Sequence, residues 1–513
     1  MHAFGGVRFV GTARRDLIGE GRGLFRRVRH VSMVAARGGA RQAGEAVLRT
    51  GTPRHPVSLL PGLFNNSYRL PSASLRPSPR LAPSTKVTTV SHADIPHAGP
   101  DGSTPSGTAP KTDSRAASAT RRTALLGAMF LMATSAIGPG FITQTATFTV
   151  QMGAAFAFAI LVSILIDIAV QMNVWRVIGV SGMRAQELAN RVLPGLGWVL
   201  AALVFLGGMV FNIGNIAGTG LGANAMLGVD PLIGGGVSAL IALLIFLSKR
   251  AGVALDRIVV ALGAVMILLM LYVAITSAPP VGEALRQSVM PEEVDFFVIV
   301  TLVGGTIGGY ITYAGAHRMI DSGVKGVDDV QDITRSSVAS ILVTGLMRAL
   351  LFLAILGVVA SGAVLSKDNL AASAFQAAAG DIGLRMFGIV LWAAAVTSVI
   401  GASYTSISFV TRSTTSARTR NLLTVAFIVV CTALYLALRQ APQTLLVFAG
   451  AFNGMILPVG FAALLYVAWR RRDLLHGYRY PGWLLVIGAL AWIVSVFIAV
   501  RGFIPMVEMI TGA

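Results

Sequence analysis

From Arg121 to its end the sequence is a succession of apolar runs separated by short polar connections. A helix needs about 20 apolar residues to cross the hydrocarbon core of a bilayer, and these runs have that length. Lipid offers no hydrogen-bond partners, so each run must satisfy its own backbone, and an α-helix does so within one segment. Eleven runs are legible, at 124–150, 154–178, 197–225, 231–248, 254–277, 296–317, 336–361, 383–410, 421–438, 444–469 and 482–502, numbered here as spans 1 to 11. Composition agrees: 54% of the 513 residues are hydrophobic and 12% are charged, about half the charge of a soluble domain. The expected fold class is an all-α polytopic membrane protein set in a lipid bilayer.

Residues 1–120 have another character. They are rich in Arg, Pro, Ser and Gly without a sustained apolar period, the composition of a disordered segment. They hold 17 Lys and Arg against 6 Asp and Glu, so much of the net charge of +19 sits in this extension. Most of the rest lies in loops between spans, where topology explains it, and nucleic acid is not an expected partner. An Arg-rich, acid-poor N-terminus fits a transit peptide, a solvated tail, or sequence upstream of the true start; the residues do not choose among these. The expected organisation is a disordered basic extension, 1–120, and an eleven-helix domain, 121–513. The single cysteine, Cys431, excludes a disulfide within one chain and reads as a small buried apolar residue.

Loop charges set the topology. Loops after even-numbered spans carry sixteen Lys and Arg; those after odd-numbered spans, with the C-terminus, carry five. The positive-inside rule then puts the N-terminus in the cytoplasm and the C-terminus outside. Span 1 starts inside and span 6 starts outside. Spans 1–5 (about 124–277) and 6–10 (about 296–469) therefore read as inverted repeats, with span 11 (482–502) as an addition.

The first span of each repeat is interrupted at a matching place. Span 1 contains Ile137-Gly-Pro-Gly-Phe-Ile-Thr143 and span 6 contains Ile307-Gly-Gly-Tyr-Ile-Thr312. Pro139 removes a donor and clashes with the preceding turn, and the glycines make unwinding cheap. Paired interruptions of this kind mark the midplane substrate site of a secondary transporter, where freed carbonyls face a cation and half-helix N-termini face an anion. Thr143, Gln144 and Thr145 follow the first break, and Gly304, Thr306, Gly308 and Tyr310 surround the second.

At these residues the sequence resembles the NRAMP family of divalent-metal transporters over roughly 123–500. Gly138-Pro139-Gly140-Phe141 resembles the opening of that family's span 1. Arg176 to Gly182 with Glu187-Leu188-Ala189 resembles its loop after span 2. Gly304-Gly305-Thr306 resembles its span-6 site, and Leu445 to Pro458 resembles its span 10. The resemblance implies a LeuT-type fold of five plus five inverted helices and an eleventh, with substrate between spans 1 and 6 and spans 3, 8 and 10 lining the path. The residues at the breaks are the candidates for substrate contact: Gly138, Thr143, Gln144, Thr145, Gly304, Thr306, Gly308 and Tyr310, with Asn453 of span 10. The sequence also departs from the family. The usual Asp-Pro-Gly-Asn of span 1 and Met-Pro-His of span 6 are absent, so the carboxylate, the soft sulfur and the imidazole are all missing. Neutral oxygen ligands suit Mg²⁺ or Ca²⁺ better than transition metals. The chain reads as a divergent, bacterial-type branch.

Two charged residues lie deep in spans, Asp167 in span 2 and Arg348 in span 7. Such charges are paired or functional. They read as an ion pair, as a proton-coupling carboxylate (Asp167), or as an anchor for a substrate carboxylate (Arg348). Asn212, Asn215 and Thr219 share one face of span 3, for interhelical hydrogen bonding or for the path. His317 ends span 6, as a proton relay or a solvated interface side chain. No P-loop, zinc spacing or hydrolase nucleophile motif is present, and neither an enzyme nor a bound cofactor is expected. The leading expectation is secondary-active transport of a divalent cation with protons as coupling ion. The alternative is a small organic solute, a carboxylate or an amino acid, on the same fold.

Overall fold

The computed structural model describes residues 138–412 and 414–511. The basic extension and the first half of span 1 lie outside them, as does its expected disorder. The helices, in order, are α1 (Pro139–Met152), α2 (Phe156–Ser181), α3 (Ala185–Val192), α4 (Leu196–Leu227), α5 (Pro231–Leu247), α6 (Lys249–Thr276), α7 (Val281–Val289), α8 (Phe296–Ile307), α9 (Gly309–Asp321), α10 (Val330–Ala360), α11 (Leu370–Val410), α12 (Ala417–Leu438), α13 (Pro442–Arg470) and α14 (Gly482–Thr511). A single 3₁₀ turn, Gly153–Ala155, joins α1 to α2. No strand occurs among the described residues.

Every apolar run has its helix. Span 6 is split between α8 and α9, and span 1 is represented by its second half, α1. Two helices appear where the sequence reads as loop. α3 buries Ala185, Leu188 and Ala189 under α4. α7 buries Ala284 and Gln287 and turns Glu283 and Arg286 outward. Arg286 pairs with Glu283 at 2.6 Å and Glu292 at 2.7 Å, and its hydrogen bond pulls the Glu283 carboxyl down to about 2. Both helices are short and half polar, and packing on long neighbours stabilises them where intrinsic propensity alone would not. α11 also starts earlier than its apolar run. Gly380, at φ 63, turns the chain between a short leading segment and the spanning part, a conformation open to glycine.

Helix starts carry ordinary caps. The Asp295 carboxylate accepts from the backbone N–H groups of Phe297 and Val298 at the start of α8. Asp230 does the same for α5, ahead of Pro231.

The packing places the two broken helices at the centre. α4 and α11, the third helix of each repeat, pack along most of their length. α13 lies across α8 and α4, and α10 lies on α2. Gln171 stitches the latter pair by donating to Ser337 O at 3.2 Å and Ser340 Oγ at 2.9 Å. α8 and α13 meet backbone to backbone. A methyl group at Gly304 would collide with the Gly450 carbonyl and the Gly454 amide, and one at Gly454 with the Val300 carbonyl. Without a hydrophobic drive between helices in lipid, such close van der Waals contact is what holds them.

Candidate substrate site between the broken helices

The site starts from two buried glycines. Gly138 is extended (φ −88, ψ −176), and Pro139 occupies the first helical position of α1, where a missing N–H costs nothing. The Pro139 ring nests on Gly218 of α4, where a methyl group would collide. Gly308 (φ −45, ψ 165) separates α8 from α9. The break in span 6 therefore falls at the glycine expected from sequence, α1 starts at the matching glycine of span 1, and both glycines are buried.

Asn453 fastens the second hinge. Its Oδ1 accepts from Tyr310 N at 3.2 Å, and its Nδ2 donates to Gly207 O at 3.1 Å and Ala449 O at 2.9 Å. Tyr310 donates its hydroxyl to Ala402 O of α11 at 3.1 Å, beside the Phe211 ring. In this arrangement Asn453 and Tyr310 hold the start of α9 against α4, α11 and α13, and their polar groups are engaged. Asn453→Ala strips the buried Tyr310 N–H and Gly207 carbonyl of their partner, at a cost of about 1–3 kcal/mol. A fall in detergent melting temperature checks this; an unchanged one means the amide does not fasten the hinge.

The polar residues after the first break face inward. Thr143, Gln144 and Thr145 are all buried. Gln144 donates from Nε2 to Leu446 O at 3.0 Å, while its Oε1 has no partner among the described residues. It occupies a notch made by glycines: a methyl group at Gly305 or Gly450 would strike its amide. Thr145 donates to Phe141 O at 2.7 Å and Thr306 to Leu302 O at 2.8 Å. Both hydroxyls thus bond back along their own helix, leaving their lone pairs for other donors.

The membrane-embedded charges converge here. Arg348, 2% exposed, donates from Nη1 to Thr306 Oγ1 at 3.1 Å, and its guanidinium lies 4.4 Å from the centre of the Phe141 ring. It therefore touches both broken helices. Asp167, 1% exposed, faces the Arg348 charge and the Thr306 hydroxyl from α2. The two do not make a direct ion pair within 4.0 Å. One Asp167 oxygen and the Nε and Nη2 of Arg348 have no partner among the described residues.

The other sequence candidates lie outside this centre. Asn212 donates to Ser403 Oγ at 3.0 Å, an interhelical bond from α4 to α11. Asn215 is buried with its amide nitrogen unpartnered among the described residues. Thr219 bonds back to Ile216 O at 2.7 Å. His317 is not a solvated interface residue. Its ring is fully buried, edge-on to Phe409, with Nε2 3.2 Å from Asp321 Oδ2. The last turn of α9 tucks against α11, which the position of His317 at the end of an apolar run does not reveal. Cys431 is buried in α12. Sequence reasoning passed over Phe141 as an arginine platform and Gly450 and Gly454 as the seat of α8. Gly450-Ala-Phe-Asn-Gly454 is a small-xxx-small pattern, so that signal was present; nothing local marks Phe141.

Chemically the centre offers neutral oxygens, one carboxylate and one guanidinium. Among the described residues no three of His, Cys, Asp and Glu come together.

A polytopic helical membrane protein with one helix broken at buried Gly308 and its counterpart α1 starting at buried Gly138 has the LeuT-type transporter architecture: five plus five inverted helices and an eleventh. The model of Natural resistance-associated macrophage protein-like proteins (Nramp) matches residues 129–505, and the chain belongs to this family. It is 52% identical over 371 residues to the Uncharacterized membrane protein YcsG of Bacillus subtilis (strain 168), across 72% of this chain and 91% of that protein. It is 50% identical over 381 residues to an uncharacterized membrane protein of Haemophilus influenzae, across 74% of this chain and 95% of that one. Among solved structures it resembles a mutant of the Eremococcus coleocola manganese transporter, with a TM-score of 0.56 at 18% identity, covering 76% of this chain and 93% of that one. MhsT in complex with L-phenylalanine matches with a TM-score of 0.54 at 16% identity, covering 74% and 98%. At those identities the structural likeness establishes the fold alone.

Proposed function

We propose that this protein is a secondary-active transporter that moves a divalent metal cation by alternating access, coupled to protons. The observation that carries the transport reading is the buried hinge at Gly308, with α1 starting at buried Gly138 at the matching place in the other repeat. Irregular backbone at such depth belongs beside a protein-lined or water-filled cavity. Family membership makes a divalent cation the first candidate, and one solved structure of the same fold is that of a manganese transporter. In this chain the ion would meet oxygen: Gln144 Oε1, the hydroxyls of Thr143, Thr145 and Thr306, and backbone carbonyls near Gly138 and Gly304. Such a donor set favours hard cations. α4, α11 and α13 would line the path, and Asp167, with His317 second, would carry the proton. The loop charges support a cytoplasmic N-terminus and an external C-terminus, in a bacterial inner membrane, for a transporter domain of residues 121–513.

A second reading, a small organic solute, is favoured by the donor set itself, which pairs a single carboxylate with a guanidinium. Uptake into proteoliposomes separates the two. Mg²⁺ or Mn²⁺ is expected to accumulate, faster under an inward proton gradient. Metal flux absent under every gradient, alongside uptake of an organic acid, overturns the cation reading.

A further inference from the structure

The guanidinium of Arg348 is used on two of its sides. Nη1 donates to Thr306 Oγ1 at 3.1 Å, and one face lies on the Phe141 ring at 4.4 Å. What remains is the edge formed by Nε and Nη2, both buried and without a partner among the described residues. These two nitrogens belong together. Their N–H bonds lie on one edge of the planar group and point the same way, which is the fork that meets the two oxygens of a carboxylate. Asp167 does not fill it, since no oxygen of Asp167 lies within 4.0 Å of the guanidinium nitrogens. A guanidinium at this depth is costly unless its hydrogen bonds are made. Thr306 and Phe141 also fix its plane, so the unpartnered fork is held by one residue from each of α8 and α1.

The surroundings have the same sign. α1 starts at Gly138 with no side chain capping it, and the N-terminal end of a helix favours an anion. Phe141, which carries the guanidinium, lies in the first turn of that helix.

We propose that Arg348 is the anchor of an anion subsite, and that what this site takes includes a carboxylate group held side-on by Nε and Nη2. The carboxylate belongs either to a free small organic acid or to an acid that arrives with a divalent cation bound. This rests on the transport reading for its place in the path, and not on the identity of any metal.

Binding is tested on the full-length protein purified in detergent, by thermal shift and intrinsic tryptophan fluorescence. The probes are L-lactate, pyruvate, succinate and citrate, with lactamide and succinamide as neutral counterparts. Each is run once with EDTA and once with Mn²⁺. At least one carboxylate is expected to raise the melting temperature in a saturable way, with its amide inert. Binding under EDTA identifies a free acid, and binding only with Mn²⁺ a metal-borne one; either supports the proposal. Arg348→Lys, which keeps the charge and loses the fork, is expected to weaken the dissociation constant at least about tenfold. No stabilisation by any probe in either arm, amides equal to acids, or Arg348→Lys binding like wild type overturns it. If the variant does not fold, the acid–amide contrast on wild type decides. Mn²⁺ uptake into proteoliposomes with no carboxylate binding leaves the transport reading standing and removes the anion site. Carboxylate binding without flux of any solute does the reverse.

Discussion

Gly304→Ala is expected to abolish uptake and to lower the detergent melting temperature by about 5 °C or more. The added methyl group would enter space filled by the Gly450 carbonyl and the Gly454 amide. Both obstacles are backbone, so no rotamer change relieves the clash, and α8 must move off α13. Overpacking of this kind costs about 1–3 kcal/mol, and rigid neighbours put it at the upper end. The displacement also reaches the site. Gly308 and Asn453 meet at this same contact and Thr306 lies two residues beyond Gly304 in α8, so a shift of about 1 Å there moves the Arg348 partner and the second hinge together. Gly263→Ala in α6 is the matched control, because a methyl group there meets nothing; its stability is expected to change by no more than about 0.5 kcal/mol. Wild-type melting and uptake in Gly304→Ala would show that the two helices do not approach as closely as the packing indicates.

The second large effect is expected from the buried charges. Asp167→Asn leaves Arg348 without its balancing charge, and Arg348→Met does the same to Asp167. Breaking a buried pair from one side costs about 3–5 kcal/mol, whereas removing both charges costs much less. The double variant is therefore expected to be more stable than the sum of the singles by at least about 1 kcal/mol. Strict additivity would mean that the two groups do not sense each other. The same variants report on coupling. If Asp167 carries the proton, Asp167→Asn makes uptake indifferent to a proton gradient; undiminished proton dependence removes it from that role and leaves His317 as the remaining candidate.

Much of the architecture was legible in the residues. Run length alone located the apolar helices of the described residues, from the second half of span 1 onward, because in lipid a segment must satisfy its own backbone and does so as a helix whatever its neighbours are. Gly308-Gly309 marked the hinge between α8 and α9, and Gly138-Pro139-Gly140 the start of α1, since glycine and proline act on their own dihedral angles and on the adjacent turn. α3 and α7 escaped because each is short, half polar and formed by docking on longer helices. The burial of His317 escaped for a similar reason: α11 covers it, and α11 lies far along the chain.

The sequence by itself determined the fold class, the family and the places where two helices break, all of which follow from local chemistry. Only the tertiary structure decided which groups meet at those breaks. Asn453 was a candidate ligand in sequence; in space its amide is spent on Tyr310, Gly207 and Ala449. Asp167 and Arg348 read as an ion pair or as two separate functions; in space they make no direct ion pair within 4.0 Å, and one fork of the guanidinium has no partner among the described residues. A hinge is a property of a few adjacent residues, whereas the free edge of a buried arginine depends on every helix around it, and that information is spread along the whole chain.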